Sequence, residues 1–223
     1  MPPYEVERIT IEVISTIACF ILVRYLMKIY QLTRETRYLG LPLGFGFLGA
    51  SYAFSAFSYC PFFDFKNLGW MQLFIRSFAF LFLAVTYYFS QSEKKTKLLW
   101  KATLGSLIGV LASLILLAII SPQISRSDYV NYYICGRVLS LICLCYISIH
   151  ALKSHLKESD PLTLLVPLGY IFLTMNQYSS LIWVVDASYF ALFGGLSFRL
   201  MGLATFIFVS YKTFPRIDKE WNR

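Results

Sequence analysis

Three arginines, Arg76, Arg137 and Arg199, stand inside otherwise apolar stretches of the chain. An ionisable side chain at membrane depth is costly and normally faces a protein interior or a wet cavity, so these residues mark the first place to look for chemistry. Arg76 follows Trp70 by six residues, Arg137 follows Tyr129 by eight and Arg199 follows Tyr189 by ten. At about 1.5 Å per helical residue, all three guanidinium groups fall roughly 9 to 15 Å beneath a boundary that those aromatic rings would mark. Planar guanidinium groups take carboxylate or phosphate oxygens through paired hydrogen bonds.

Only Glu12 and Asp186 offer counter-charge from the apolar stretches, and two acids do not balance three bases. The expectation is therefore a pocket, open on the Trp70 side, that holds a small anion between Arg76, Arg137 and Arg199. Asn176 and Gln177 reach the same layer, and Asn176, Ser180 and Trp183 fall at i, i+4 and i+7 on one helical stripe. Ser51, Ser55 and Ser58 form a similar stripe, and Gly195 and Gly202 leave space beside Arg199. The alternative is a purely structural set, with Arg137 paired to Glu12 while Arg76 and Arg199 bond backbone carbonyls or snorkel toward headgroups. Arg24, nearer the opposite boundary, reads as a snorkelling residue.

The elements that must position these groups are transmembrane helices. The chain has 223 residues, 57% of them hydrophobic and only 14% charged, with a mean hydropathy of +0.61. That is too apolar for a water-soluble globule and excludes a nucleic-acid reader. A span needs roughly 20 apolar residues, and the pattern predicts an all-α bundle of seven, at about 9–31, 39–60, 68–90, 98–121, 129–152, 161–186 and 188–212. Residues 1–223 then form a single membrane domain. Thirteen Lys/Arg residues fall on one side of it and three on the other. The positive-inside rule places the N-terminus outside and the C-terminus in the cytoplasm of a multi-pass cell-membrane protein. Acids in the first residues argue against a cleaved signal.

An internal repeat is visible. Pro42 to Ser55 aligns without gaps on Pro167 to Ser180 with 6 of 14 positions identical, and the same offset pairs Lys28 with Lys153 and Glu12 with Arg137. Two residues of slippage bring Arg76 onto Arg199. The organisation is three helices (about 9–90), a linker helix (about 98–121) and three helices again (about 129–212), as parallel repeats whose site is expected at the shared axis.

The remaining motifs are bland. Gly40xxxGly44 and Gly105xxxGly109 predict close helix contacts. Pro42 and Pro167 sit one turn inside a boundary, as hinges or as helix starts. Cys19, Cys60, Cys135, Cys143 and Cys145 read as packing residues, and His150 and His155 have poor spacing for a metal. No nucleophile with a base and no zinc signature is present, so neither an enzyme activity nor a cofactor is expected. Phe80, Leu83, Leu203 and Phe206 predict an apolar plug beyond the arginines.

Seven helices in a three-one-three arrangement resemble the microbial rhodopsins and the SWEET sugar facilitators. The rhodopsin resemblance implies a Schiff-base lysine in the last helix, where Arg199 stands here and Lys212 lies at the inner end. An arginine stays protonated and forms no such imine, so covalent retinal is not expected. The SWEET resemblance implies hinge prolines, matched by Pro42 and Pro167 in the second and sixth spans but absent from the first and fifth. It also implies polar contacts at Arg76 and Arg199. Three roles follow: binding and translocation of a small anionic solute, a receptor bundle that signals through a partner, or an accessory subunit whose arginines grip lipid headgroups or a neighbouring chain. The bilayer, a small anion or headgroup, and a second copy or membrane protein are the expected partners.

Overall fold

The computed structural model describes residues 5–33, 39–59, 68–90, 96–120, 126–157 and 161–221. They form α1 (Glu5–Thr33), α2 (Gly40–Phe57), α3 (Leu68–Ser90), α4 (Thr96–Ile120), α5 (Arg126–Lys157), α6 (Pro161–Asp186) and α7 (Tyr189–Trp221), with no strand among the described residues. Helices are the natural outcome for such segments, because an α-helix satisfies its own backbone polar groups without water. All but α6 are long and apolar enough to cross a membrane, which fits a membrane protein. Thr174, Asn176, Gln177, Ser179 and Ser180 lower the hydropathy of α6.

Six helices close into a ring: α1 packs on α2 and α7, α2 on α3, α3 on α5, α5 on α6 and α6 on α7. Among the described residues α4 packs along α3, with Trp100 also reaching α2 at Gly40. Its Trp100, Leu104, Leu111 and Ala118 are buried, while Ile108, Val110, Leu116, Leu117 and Ile120 are exposed. In water that much open apolar surface would be a liability; against lipid it costs nothing.

Small residues bring the ring helices together, as expected where lipid tails compete with side chains for every apolar contact. A Cβ added at Gly44 would lie 2.6 Å from Leu83 and 3.3 Å from the Ala79 carbonyl, closing α2 on α3. One at Gly49 would lie 2.9 Å from the Cys19 Cβ, closing α1 on α2. At Gly169 it would meet Phe206 at 2.8 Å, and at Gly202 the Gly169 carbonyl at 3.0 Å, closing α6 on α7. Gly40 likewise abuts Thr86. The second expected contact motif is corrected: among the described residues nothing lies within 4 Å of a Cβ at Gly105 or Gly109, and both are exposed.

Pro42 and Pro167 differ. Pro42 is the third residue of α2, where the missing N–H has no intrahelical acceptor to lose, so it acts as a helix start. Pro167 lies inside α6 and leaves the Thr163 carbonyl without its usual donor. Cys19 and Cys143 are buried, Cys135 and Cys145 exposed, all as free thiols; Cys60 lies outside the described residues.

The α6–α7 corner turns on Ala187, whose φ of 51° is left-handed. Its N–H donates to the Trp183 carbonyl at 2.9 Å, a C-terminal cap that glycine fills without a Cβ clash. Ala187→Gly is therefore expected to stabilise the fold by about 1 kcal/mol, read as a raised unfolding midpoint in detergent.

Candidate functional site

Ordinary helical periodicity turns Glu12, Ser15 and Cys19 of α1, Ser51, Tyr52 and Ser55 of α2, Arg76 of α3, Arg137 of α5, Asn176 and Gln177 of α6 and Arg199 of α7 toward the ring interior. All are buried, the arginines at 3% (Arg76), 5% (Arg137) and 4% (Arg199) exposure.

On the α1–α7 seam, Arg199 Nη1 donates to Glu12 Oε2 at 2.6 Å, with both side chains almost fully enclosed. This corrects the pairing expected from the repeat: Glu12 neutralises Arg199 across the α1–α7 seam, while Arg137 turns to Gln177 of α6. Arg76 Nε donates to Ser51 Oγ at 3.0 Å, and that hydroxyl donates onward to the Gln72 carbonyl at 3.1 Å. Arg137 Nη1 donates to Gln177 Oε1. None of the three arginines snorkels to the surface.

Two aromatic rings complete the cluster. The Tyr52 ring lies between Arg76 and Arg199, its centroid 4.9 Å from one guanidinium carbon and 4.5 Å from the other. The Tyr133 ring lies 4.7 Å from that of Arg137. A ring face attracts a cation, and more strongly where water is excluded, so both tyrosines soften the enclosure of positive charge. Among the described residues Glu12 is the one buried carboxylate that accompanies the three buried arginines, and the four groups form one enclosed charged unit. Three guanidinium groups and one carboxylate leave that unit with two positive charges in excess.

The leftover hydrogen-bonding capacity is mainly that of donors: beside the Tyr52 hydroxyl, which can donate or accept, five nitrogens remain. Arg76 Nη2, Arg137 Nε, Arg199 Nε, Asn176 Nδ2 and Gln177 Nε2 are buried without a hydrogen-bond partner among the described residues. Each is a donor. Buried polar groups are ordinarily satisfied, so a cluster of donors lacking acceptors is a specific demand for oxygen lone pairs.

Several expected members lie elsewhere. Asp186 is exposed at the last turn of α6 and is no counter-charge for the buried arginines. Trp183 is half-buried with its ring 5.3 Å from the guanidinium of Arg8, and Ser180 spends its hydroxyl on the Asn176 carbonyl at 2.8 Å. Ser55 is buried in the interior, whereas Ser58 is exposed beyond the helix end. Gly195 and Gly202 leave no void beside Arg199. A Cβ at Gly195 would lie 3.1 Å from Ser179 and 3.5 Å from the Asn176 carbonyl, so the glycines instead let α6 approach and bring Asn176 in.

Tyr52 and Tyr133 are the residues that the sequence reading misses. Both carried a signal: Tyr133 precedes Arg137 by one turn, and the repeat offset aligns Tyr52 with Gln177. One turn beyond Arg76 and Arg199, Phe80, Leu83, Leu203 and Phe206 join Phe45, Leu48, Tyr170 and Leu173 in one buried apolar layer. The Phe206 ring packs 4.7 Å from Tyr170 and 5.3 Å from Phe45.

Comparison with family models, with curated proteins and with solved structures finds no match in any of the three. The site is therefore interpreted from its own chemistry.

Proposed function

We propose that this chain is a multi-pass membrane protein that binds a small anion among Arg76, Arg137 and Arg199. One observation carries the reading: a buried cluster with two surplus positive charges in which five unsatisfied N–H donors face a single group able to accept, the Tyr52 hydroxyl. An enclosed excess of charge is expensive, and an anion's oxygens would supply both the counter-charge and the acceptors. Asn176, Gln177 and Ser51 orient the donors, and Tyr52 and Tyr133 back the guanidinium planes. The Lys/Arg bias places the N-terminus outside and the site in the outer half of the bilayer. No catalysis is assigned.

The apolar layer beyond the arginines bears on mechanism. Phe80, Leu83 and Leu203 are at most 1% exposed and offer an anion no polar path along the axis. Binding without passage, as in a receptor that signals through a partner, accords with this packing; translocation requires the layer to part, with Pro167 as the weak point of α6.

Thermal unfolding of the purified protein across acetate, chloride, sulfate and phosphate, at constant ionic strength, tests the reading. At a concentration one hundred times Kd, an anion that binds only the folded state adds about 2.7 kcal/mol, roughly 5 to 10 °C in the unfolding midpoint. Arg76→Gln should lose most of that shift. A wild-type midpoint indifferent to every anion would leave the arginines as structural or lipid-gripping residues.

A further inference from the structure

We infer that the anion has one seat, between Arg76 and Arg137, and that its chemistry is that of a carboxylate. The inference rests on the anion-binding reading and narrows it. It starts from the ring's own pattern of contacts. Exchanging α1, α2 and α3 for α5, α6 and α7 leaves that pattern unchanged: α1–α2 becomes α5–α6, α2–α3 becomes α6–α7, and α1–α7 becomes α3–α5.

Individual contacts follow the same exchange. Gly44 meets Leu83 as Gly169 meets Phe206, and Gly44 meets the Ala79 carbonyl where Gly202 meets that of Gly169. These are the partners that the alignment of Pro42 with Pro167, and of Arg76 with Arg199, assigns to one another. Under it, Glu12 becomes Arg137 and Arg199 becomes Arg76.

The consequence is an ion pair on one seam and two like charges on its counterpart. Where Glu12 closes on Arg199 at 2.6 Å, the equivalent seam joins α3 and α5, the helices that carry the buried Arg76 and Arg137. Ser77 Oγ donates to the Gly136 carbonyl at 3.2 Å, so α3 and α5 cross at the residues immediately following Arg76 and preceding Arg137. Each arginine keeps one buried N–H group without a partner among the described residues, Arg76 Nη2 and Arg137 Nε. A carboxylate accepts one from each with its two oxygens, which is the service Glu12 performs inside the protein on the other seam. The carboxylate arrives either free or on a lipid headgroup.

Arg137→Glu tests the inference by building the missing half of the symmetry. The variant should place a second carboxylate beside Arg76, raise the unfolding midpoint in the absence of ligand, and abolish the response to acetate. Arg137→Gln, which cannot supply the charge, should weaken acetate about ten- to hundredfold without the gain in stability, and it serves as the test if Arg137→Glu does not fold. Acetate against phosphatidylserine and phosphatidylglycerol vesicles separates the sources: a response to acetate indicates a free carboxylate, and one to phosphatidylserine alone a headgroup. Stronger stabilisation by phosphate or phosphatidylglycerol than by either carboxylate overturns the assignment of chemistry. An acetate response undiminished in both Arg137 variants overturns the seat while leaving anion binding standing; a wild type that answers no anion sinks the reading beneath it.

Discussion

Glu12→Gln is expected to cost the fold roughly 3 to 5 kcal/mol, the usual penalty for leaving one member of an enclosed ion pair without its partner. The change removes one negative charge and no volume. Arg199 would then face the Tyr52 ring and a neutral amide, and the cluster's surplus would rise from two positive charges to three. A double variant, Glu12→Gln with Arg199→Met, should recover much of the loss, because replacing both charges with groups of similar shape removes the uncompensated one. Equilibrium unfolding in detergent gives the coupling; a Glu12→Gln variant within about 1 kcal/mol of wild type would show that Arg199 finds another acceptor or reaches solvent.

Gly202→Leu is expected to destabilise by about 2 to 3 kcal/mol or to prevent α6 and α7 from docking. The reason is what blocks the new side chain. A Cβ there meets the Gly169 backbone carbonyl at 3.0 Å and Leu173 at 3.3 Å, and a backbone atom cannot rotate aside as a side chain can. Separating α6 from α7 would also draw Asn176 away from Arg199, so loss of anion response should accompany loss of stability. Gly109→Leu on α4 is the control: with nothing within 4 Å of its Cβ, it should stay within about 0.5 kcal/mol. Equal effects at the two glycines would contradict the ring with α4 outside it.

Much of this was legible before any coordinates. Long apolar runs broken by proline, asparagine and lysine clusters mark most helix ends to within a few residues, because a bilayer-length helix is a constraint on composition that few other structures satisfy, whereas α5 and α7 run on to Lys157 and Trp221, past the expected ends at 152 and 212. Arg76, Arg137 and Arg199 stood out for the same reason, since burying a guanidinium is too costly to be incidental. Partner choice was not legible. Glu12 pairs with Arg199 across 187 positions, and which seam an interior residue faces depends on how the ring closes. Trp183 lies apart from the arginines because it sits about two turns beyond Asn176 toward the end of α6, where Arg8 reaches it. Spacing alone distinguishes faces of one helix, not depth in a bundle. The glycines beside Arg199 were misread because a missing side chain can mean either space for a ligand or space for a neighbouring helix, and here Ser179 and Leu173 occupy it.

The central claim is that an anion completes the buried arginine cluster, and bromoacetate tests it directly, because bromine can be located by its anomalous scattering in crystals of the wild-type protein. The account predicts one bromine peak on the α3–α5 seam, with the attached carboxylate bonded to Arg76 and Arg137 and with Glu12 still closed on Arg199. Crystals in which bromine avoids that seam, and in which Arg76 and Arg137 have turned to acceptors of the protein itself, would contradict it.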